Sequence, residues 1–179
     1  MKPNLPRKGH KKKRKPDWLG KKKDRRRHAI EHPPDTTGYD WVGYFDGSCT
    51  PTNPGGTCSI GILLLDKYGE VVAELSKEIG GGIGWSNNVS EHSAAYHLFD
   101  AIAKYAKPGD KALVMGDSNM TVQQLNGAWK AKGGMYLPFF RQAKEALRLV
   151  RSSGVEIEVR WIPRELNSLA DELSKGISR

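Results

Sequence analysis

WVGYFDGSCTPTNPGGTCSIGILLLDKYGEVVAELSKEI, residues 41–79, decides the architecture. Trp41 to Cys49 reads as a strand, TPTNPGG (50–56) turns the chain, and Thr57 to Leu65 reads as a second strand. Asp66-Lys67-Tyr68-Gly69 is a turn phrase, and Glu70 to Ile79 alternates well enough for a third strand. Three strands joined by short turns imply an antiparallel meander.

Working outward, a glycine-rich loop (GGGIGW) leads into a helix expected from Asn88 to Ala106 and stopped by Lys107-Pro108-Gly109. Its apolar stripe is Ala95, Leu98, Ile102 and Tyr105, and Glu91 lies one turn before Ala95 on that stripe. Lys111 to Asp117 is expected to be a fourth strand, with a short helix over Met120 to Leu125 behind it. Phe140, Ala143, Leu147 and Val150 mark a further helix ending near Gly154. Val155 to Ile162 reads as a fifth strand and Ser168 to Lys175 as a last helix. The order βββαβααβα, helices covering a mixed five-stranded sheet, defines an α/β domain.

Four acids stand in this frame: Asp46 in YFDGS, Glu91 in SNNVSEHSAA, Asp117 in VMGDSN and Asp171 in NSLADELS. Three have a structural explanation. Asn88 before Glu91 and Ser168 before Asp171 match a helix-capping spacing, and Asp117, between a strand and a helix, suits an N-cap. Asp46 resists it, because Asp is depleted within strands and an unpaired buried charge is costly. If the four converge at one sheet edge, oxygen-only ligation suits Mg²⁺, and no His or Cys stands by to favour zinc.

Charge is unevenly distributed along the chain. Residues 1–30 hold 14 Lys/Arg against Asp17 and Asp24, a local charge of +12, so that the remainder of this +9 chain carries −3. Trp18 and Leu19 are nearly the only large apolar residues of the arm's basic stretch, which therefore cannot offset its ordering entropy and is expected to be disordered when free. The division is residues 1–38 as arm and linker and 39–179 as the folded domain. A polybasic segment neutralises phosphates whatever their sequence, so the arm is read as a nucleic-acid contact, with a localisation signal or a solvated tail as alternatives. No apolar run reaches signal-peptide or membrane-spanning length, which points to a soluble, cytoplasmic protein, nuclear in a eukaryotic source, with no membrane partner. Cys49 and Cys58 lack a Cys/His cluster and read as packing residues.

The phrases DGSCTPTNPGG (46–56), SNNVSE (86–91), GDSNMTVQQLNGAW (116–129) and WIPRELNSLADELS (161–174) resemble the successive motifs of ribonuclease H of the bacterial and archaeal cellular type. The resemblance covers Trp41 to Ser174 and leaves out the arm. It implies endonucleolytic cutting of the RNA strand of an RNA–DNA hybrid, with two Mg²⁺ ions, or Mn²⁺ in their place, leaving 3′-hydroxyl and 5′-phosphate ends. It further implies that Asp46 bridges both ions, Asp171 completes the one carrying the attacking water, and Glu91 with Asp117 completes the other. By the same resemblance Asn53, Asn87 and Asn88 read the minor groove and RNA 2′-hydroxyls, although Asn in a turn or cap explains all three as well.

There are two departures from that pattern. Many relatives carry a His in the loop before the last acid, whereas this chain has none after His97; Arg164 occupies the region and suits a phosphate, or else forms a surface ion pair. The segment after GDSN is also too short for the extra basic helix that some relatives use to grip the hybrid. Trp129, Lys130 and Lys132 offer a smaller basic-aromatic contact to the DNA strand, unless Trp129 packs. A monomer is expected. Two other functions are open: a nuclease of the same fold acting on DNA, resolvase- or exonuclease-like, and a non-catalytic hybrid-binding module.

Overall fold

The computed structural model describes residues 34–176, so the expectations for the arm lie outside the described residues. Strands β1 (Trp41–Thr50), β2 (Thr57–Asp66) and β3 (Val71–Gly81) form the antiparallel meander. β4 (Lys111–Gly116) pairs parallel with β1, and β5 (Glu156–Trp161) parallel with β4, giving the sheet order β3-β2-β1-β4-β5. The helices are α1 (Asn87–Tyr105), α2 (Asn119–Leu125), α3 (Leu137–Ser152) and α4 (Ser168–Ser174), with a 3₁₀ turn over Arg164–Leu166. The α/β order is the βββαβααβα expected. β3 runs on past Ile79 because Gly80 and Gly81 still pair with Cys58 and Thr57.

β1 is central because it is apolar toward both faces and β4 beside it is buried along Ala112 to Gly116, as parallel strands covered by helices are. Alternation along β1 assigns its residues to opposite faces. On one face Gly43 abuts Leu98 of α1, and Phe45 joins Leu98, Phe99 and Ile102 in the main core with Leu147 and Val150 of α3. On the other, Ser48 Oγ donates to Ser174 O of α4 at 2.6 Å. That short helix lies directly on β2, where a Cβ at Gly61 would stand 2.3 Å from Ala170 O. Each large apolar side chain fully buried this way contributes roughly 1.5–3 kcal/mol.

Tyr105 departs from the expected stripe. It is 44% exposed, while Ala95, Leu98 and Ile102 are fully buried. As the last residue of α1 it passes beyond the core and rests against the Trp41 ring at 6.2 Å. Cys49 and Cys58 are buried free thiols, opposite one another in the β1–β2 register, in keeping with packing roles.

Candidate active site

Where the parallel pairing of β1 with β4 ends at Tyr44 and Met115, Asp46, Glu91 and Asp117 each place a carboxylate oxygen within 4.8 Å of the others. Glu91 arrives from α1 because Gly47, on the strand beside Asp46, has no side chain. A Cβ there would lie 2.3 Å from Glu91 N and 2.4 Å from Ser90 C. The helix backbone thus meets the strand almost directly.

None of the three acts as a cap. The N-cap of α1 is Ser86, so Glu91 lies beyond the first turn, and the Asn87 N–H is taken by Asn53 Oδ1 at 3.0 Å. Ser118, not Asp117, caps α2, accepting from Thr121 N. Asp171 does not cap α4 either; its carboxylate accepts from Arg164 and Lys175. The two cations take one Asp171 oxygen each, and Asp171 lies outside the trio of carboxylates. Of the four acids the sequence singled out, three converge and the fourth stands beside them with counter-charges of its own.

Two further residues complete the cluster, and neither stands out in the sequence. Ser174 Oγ donates to Asp46 Oδ2 at 2.5 Å. Asn167, 1% exposed, donates from Nδ2 to Phe45 O at 2.9 Å and to Asp117 Oδ1 at 3.2 Å, tying α4's start to both strands. The only signal for Ser174 was its position three residues after Asp171, one turn along the same helix face.

The electrostatics are those of crowded anions. Burial pushes the Asp46 carboxyl up to about 7, with Asp117 and Asp171 adding to it against the Ser174 hydrogen bond. Glu91 is raised well above the ordinary carboxylate range, by burial first and then by Asp46 and Asp117. Its Oε2 is buried without a hydrogen-bond partner among the described residues. Asp171 goes the other way: burial is outweighed by the hydrogen bonds from Lys175 and Arg164, which lower it. An all-oxygen donor set with an orphaned buried oxygen and excess negative charge fits a hard divalent cation.

A stability consequence follows from Asp46. A carboxyl raised from 3.8 to about 7 on folding binds its proton more tightly in the folded state, so this stabilisation is complete below pH 3.8 and is lost as pH rises through about 7. Glu91 acts in the same direction. Without divalent ions the melting temperature is expected to fall between pH 5 and pH 8, and Mg²⁺ to restore it progressively more at the higher pH. A thermal melt series with EDTA or Mg²⁺ reads both; a Mg²⁺ effect independent of pH would contradict the assignment of the buried carboxylates.

The other expected positions fall into two groups. Asn53, exposed in the β1–β2 turn, Asn87 and Asn88 line up at the start of α1, and Asn88 O also faces His92 Nδ1 at 2.7 Å. His92, whose titration burial depresses, is fully buried between Tyr136 and Phe140, and its Nε2 meets Gln124 Oε1 at 3.0 Å. That network fastens α1 to the segment bearing Trp129, Lys130 and Lys132. These three, with Met120, Gln124 and Tyr136, line a groove of about 550 Å³ in which Trp129 is half exposed.

Residues 44–176 match the family model described as reverse transcriptase-like. The chain belongs to this family and, within it, to its ribonuclease H members. It is 30% identical over 122 residues to a bifunctional protein of Mycobacterium tuberculosis, a match covering 68% of this chain and 31% of that protein. To the ribonuclease HI of Halobacterium salinarum it is 30% identical over 131 residues, covering 73% and 60%. The matches thus span about a third and about three fifths of those relatives. Among solved structures, the N-terminal RNase H domain of the mycobacterial protein superposes with a TM-score of 0.65 at 29% identity, covering 76% of this chain and 96% of that domain's chain. LC11-RNase H1, solved in complex with an RNA/DNA hybrid, gives 0.63 at 27% identity, covering 76% and 94%. No helix among the described residues is long and apolar enough to cross a membrane.

Proposed function

We propose that the chain hydrolyses the RNA strand of RNA–DNA hybrids, leaving 3′-hydroxyl and 5′-phosphate ends. The observation that carries this reading is the carboxylate trio of Asp46, Glu91 and Asp117, with its orphaned Glu91 oxygen, in a ribonuclease H fold. Bound divalent ions, two Mg²⁺ with Mn²⁺ as a substitute, would supply activation of the attacking water and charge stabilisation at the leaving 3′-oxygen. Asp46 would be the ligand common to both ions, Glu91 and Asp117 would hold one and Asp171 the other. Ser174 and Asn167 fix the orientation of Asp46 and Asp117 as outer partners of ligating carboxylates do. Asn53, Asn87 and Asn88 would address the minor groove, where the 2′-hydroxyl separates RNA from DNA. The Trp129, Lys130 and Lys132 groove would take the DNA strand by stacking and charge.

The direct test incubates labelled RNA–DNA hybrid with the protein, with and without Mg²⁺, and maps the RNA ends, with duplex and branched DNA run alongside. Cutting of DNA alone would replace this reading with a resolvase- or exonuclease-like one. Hybrid binding without cutting would leave a binding module.

Arg164 is 65% exposed along its side chain yet paired to Asp171, so it holds a ligand carboxylate while its remaining donors reach toward solvent. Its role is phosphate contact during turnover and product departure. Arg164→Ala is expected to lower the multiple-turnover rate more than it weakens hybrid binding. Equal turnover would return Arg164 to an ion pair alone.

The arm of residues 1–30 would add sequence-independent grip. Deleting it is expected to leave cutting intact but weaken hybrid binding and flatten its salt dependence, by roughly 0.7–0.9 in log–log slope for each phosphate the arm neutralises. Superimposable salt curves of full-length and truncated protein, measured with Ca²⁺ replacing Mg²⁺ to suppress cutting, would rule that out.

A further inference from the structure

The folded domain is net acidic, yet one part of it is not. Between residues 126 and 152 stand six Lys/Arg, Lys130, Lys132, Arg141, Lys144, Arg148 and Arg151, against a single acid, Glu145. The last four lie on α3 at spacings of three, four and three residues, which places them along one helix stripe. They line a groove of about 690 Å³ together with Phe140 and Leu147, and Glu145 is its one acidic lining residue.

Two of these side chains are held in place by the fold. Lys144 Nζ donates to Leu125 O at the end of α2 at 2.9 Å, and Arg151 Nη2 donates to Ile157 O of β5 at 3.0 Å. Arg148 is paired with Glu145 at 2.7 and 2.9 Å, while Arg141 is exposed. The stripe also starts against the helix that bears Glu91. Phe139 in the first turn of α3 packs tilted against Trp85 at 5.7 Å, and Phe140 meets the His92 ring edge-on at 5.6 Å. The groove bearing Trp129, Lys130 and Lys132 lies across Gln124 and Leu125 from it.

We propose that the basic groove along α3 is a second backbone-binding surface for the hybrid, engaging duplex that continues past the catalytic cleft. From Arg141 to Arg151 the stripe is about 15 Å long at 1.5 Å per residue, long enough to face successive phosphates of one strand. Contacts of this kind carry no base preference. They would supply part of the grip that the short segment after α2 cannot. The inference rests on the hybrid-cutting reading.

The test compares the wild-type chain with R141Q/R148Q and with R141K/R148K, which keeps the charge. Affinity is measured by fluorescence anisotropy across a salt series, with Ca²⁺ in place of Mg²⁺, on hybrids of roughly 8 and 24 base pairs, about 27 and 80 Å long at a rise of about 3.4 Å per base pair. R141Q/R148Q is expected to bind the long hybrid at least about tenfold more weakly at 0.1 M salt, with a slope lower by roughly 1.4–1.8, the share of two neutralised phosphates. Binding and cutting of the short hybrid stay unchanged, and R141K/R148K behaves as wild type. An unchanged slope on the long hybrid overturns the proposal, as does an equal loss on both lengths, which would place the effect in the cleft. Binding to anionic-lipid vesicles that R141Q/R148Q loses while its hybrid binding stays intact would overturn it too, in favour of a membrane surface. Failure of the wild type to cut even the short hybrid in Mg²⁺ would instead sink the hybrid-cutting reading and take this inference with it.

Discussion

Asp46→Asn is expected to abolish Mg²⁺-dependent cutting of hybrid RNA, with Asp117→Asn doing the same, while hybrid binding in Ca²⁺ persists. Removing an anionic ligand takes away several kcal/mol of transition-state charge stabilisation, and at 1.36 kcal/mol per tenfold that is on the order of 10²–10³ or more in rate. Phosphate contacts elsewhere are untouched, so binding survives. The same change separates catalysis from stability. Asp46 is buried among like charges and its carboxyl is raised to about 7. A neutral amide can still accept from Ser174 Oγ without that repulsion. Asp46→Asn should therefore melt higher than wild type in EDTA at pH 8 and gain less from Mg²⁺. Wild-type cutting by either variant would remove the trio from the chemistry. A lower melting temperature of Asp46→Asn in EDTA would mean that the carboxylate is held by a favourable interaction that the geometry does not contain.

The sequence carried the fold where the signal is local. Period-two alternation and turn residues placed β1 and β2 within a residue of their observed ends, since Gly, Pro and Asn set turn geometry from within the turn. It carried Asp46 for a related reason, a charge standing where strand alternation demands an apolar or paired residue. What it could not carry depends on docking between distant segments. Ser174 and Asn167 look like ordinary polar residues of a short terminal helix. They become buried partners of Asp46 and Asp117 only because α4 settles onto Gly61, more than a hundred residues earlier in the chain. The capping spacing of Asn88 with Glu91 misled in the same way. Asn53 in the β1–β2 turn supplies an acceptor to the start of α1, an interaction that spacing within the helix does not reveal. The Asp171–Lys175 pair was readable in principle from its i,i+4 spacing; the Arg164 half was not, because it depends on the 3₁₀ turn folding back over the helix start.

Gly47→Ala offers the strongest test of how the site is assembled, because the same strand supplies its own control. A methyl group at Gly47 would stand 2.3 Å from Glu91 N and 2.4 Å from Ser90 C, backbone atoms inside α1 that cannot move without the helix. Gly43, four residues earlier on the same face of β1, would also crowd α1, but its new methyl would meet the ends of the Leu98 side chain at 2.9 Å, which can rotate away. Overpacking costs roughly 1–3 kcal/mol and sometimes more. Gly43→Ala belongs near the lower figure and Gly47→Ala at or above the upper. At roughly 2–4 °C per kcal/mol for a domain of this size, the melting temperature should fall by about 3 °C in the first and about 10 °C in the second. The functional difference should be larger still. Relief of the Gly47 clash requires α1 to lift from the strand, carrying Glu91 away from Asp46 and Asp117, so cutting at a temperature where the variant remains folded should drop sharply. Gly43→Ala should retain most activity, since the end of the helix that bears Glu91 is not displaced. Melting curves and initial rates of both variants decide the matter. Equal, small effects would show that α1 accommodates the methyl without moving Glu91, and the close approach at Gly47 would then not be what brings the carboxylates together.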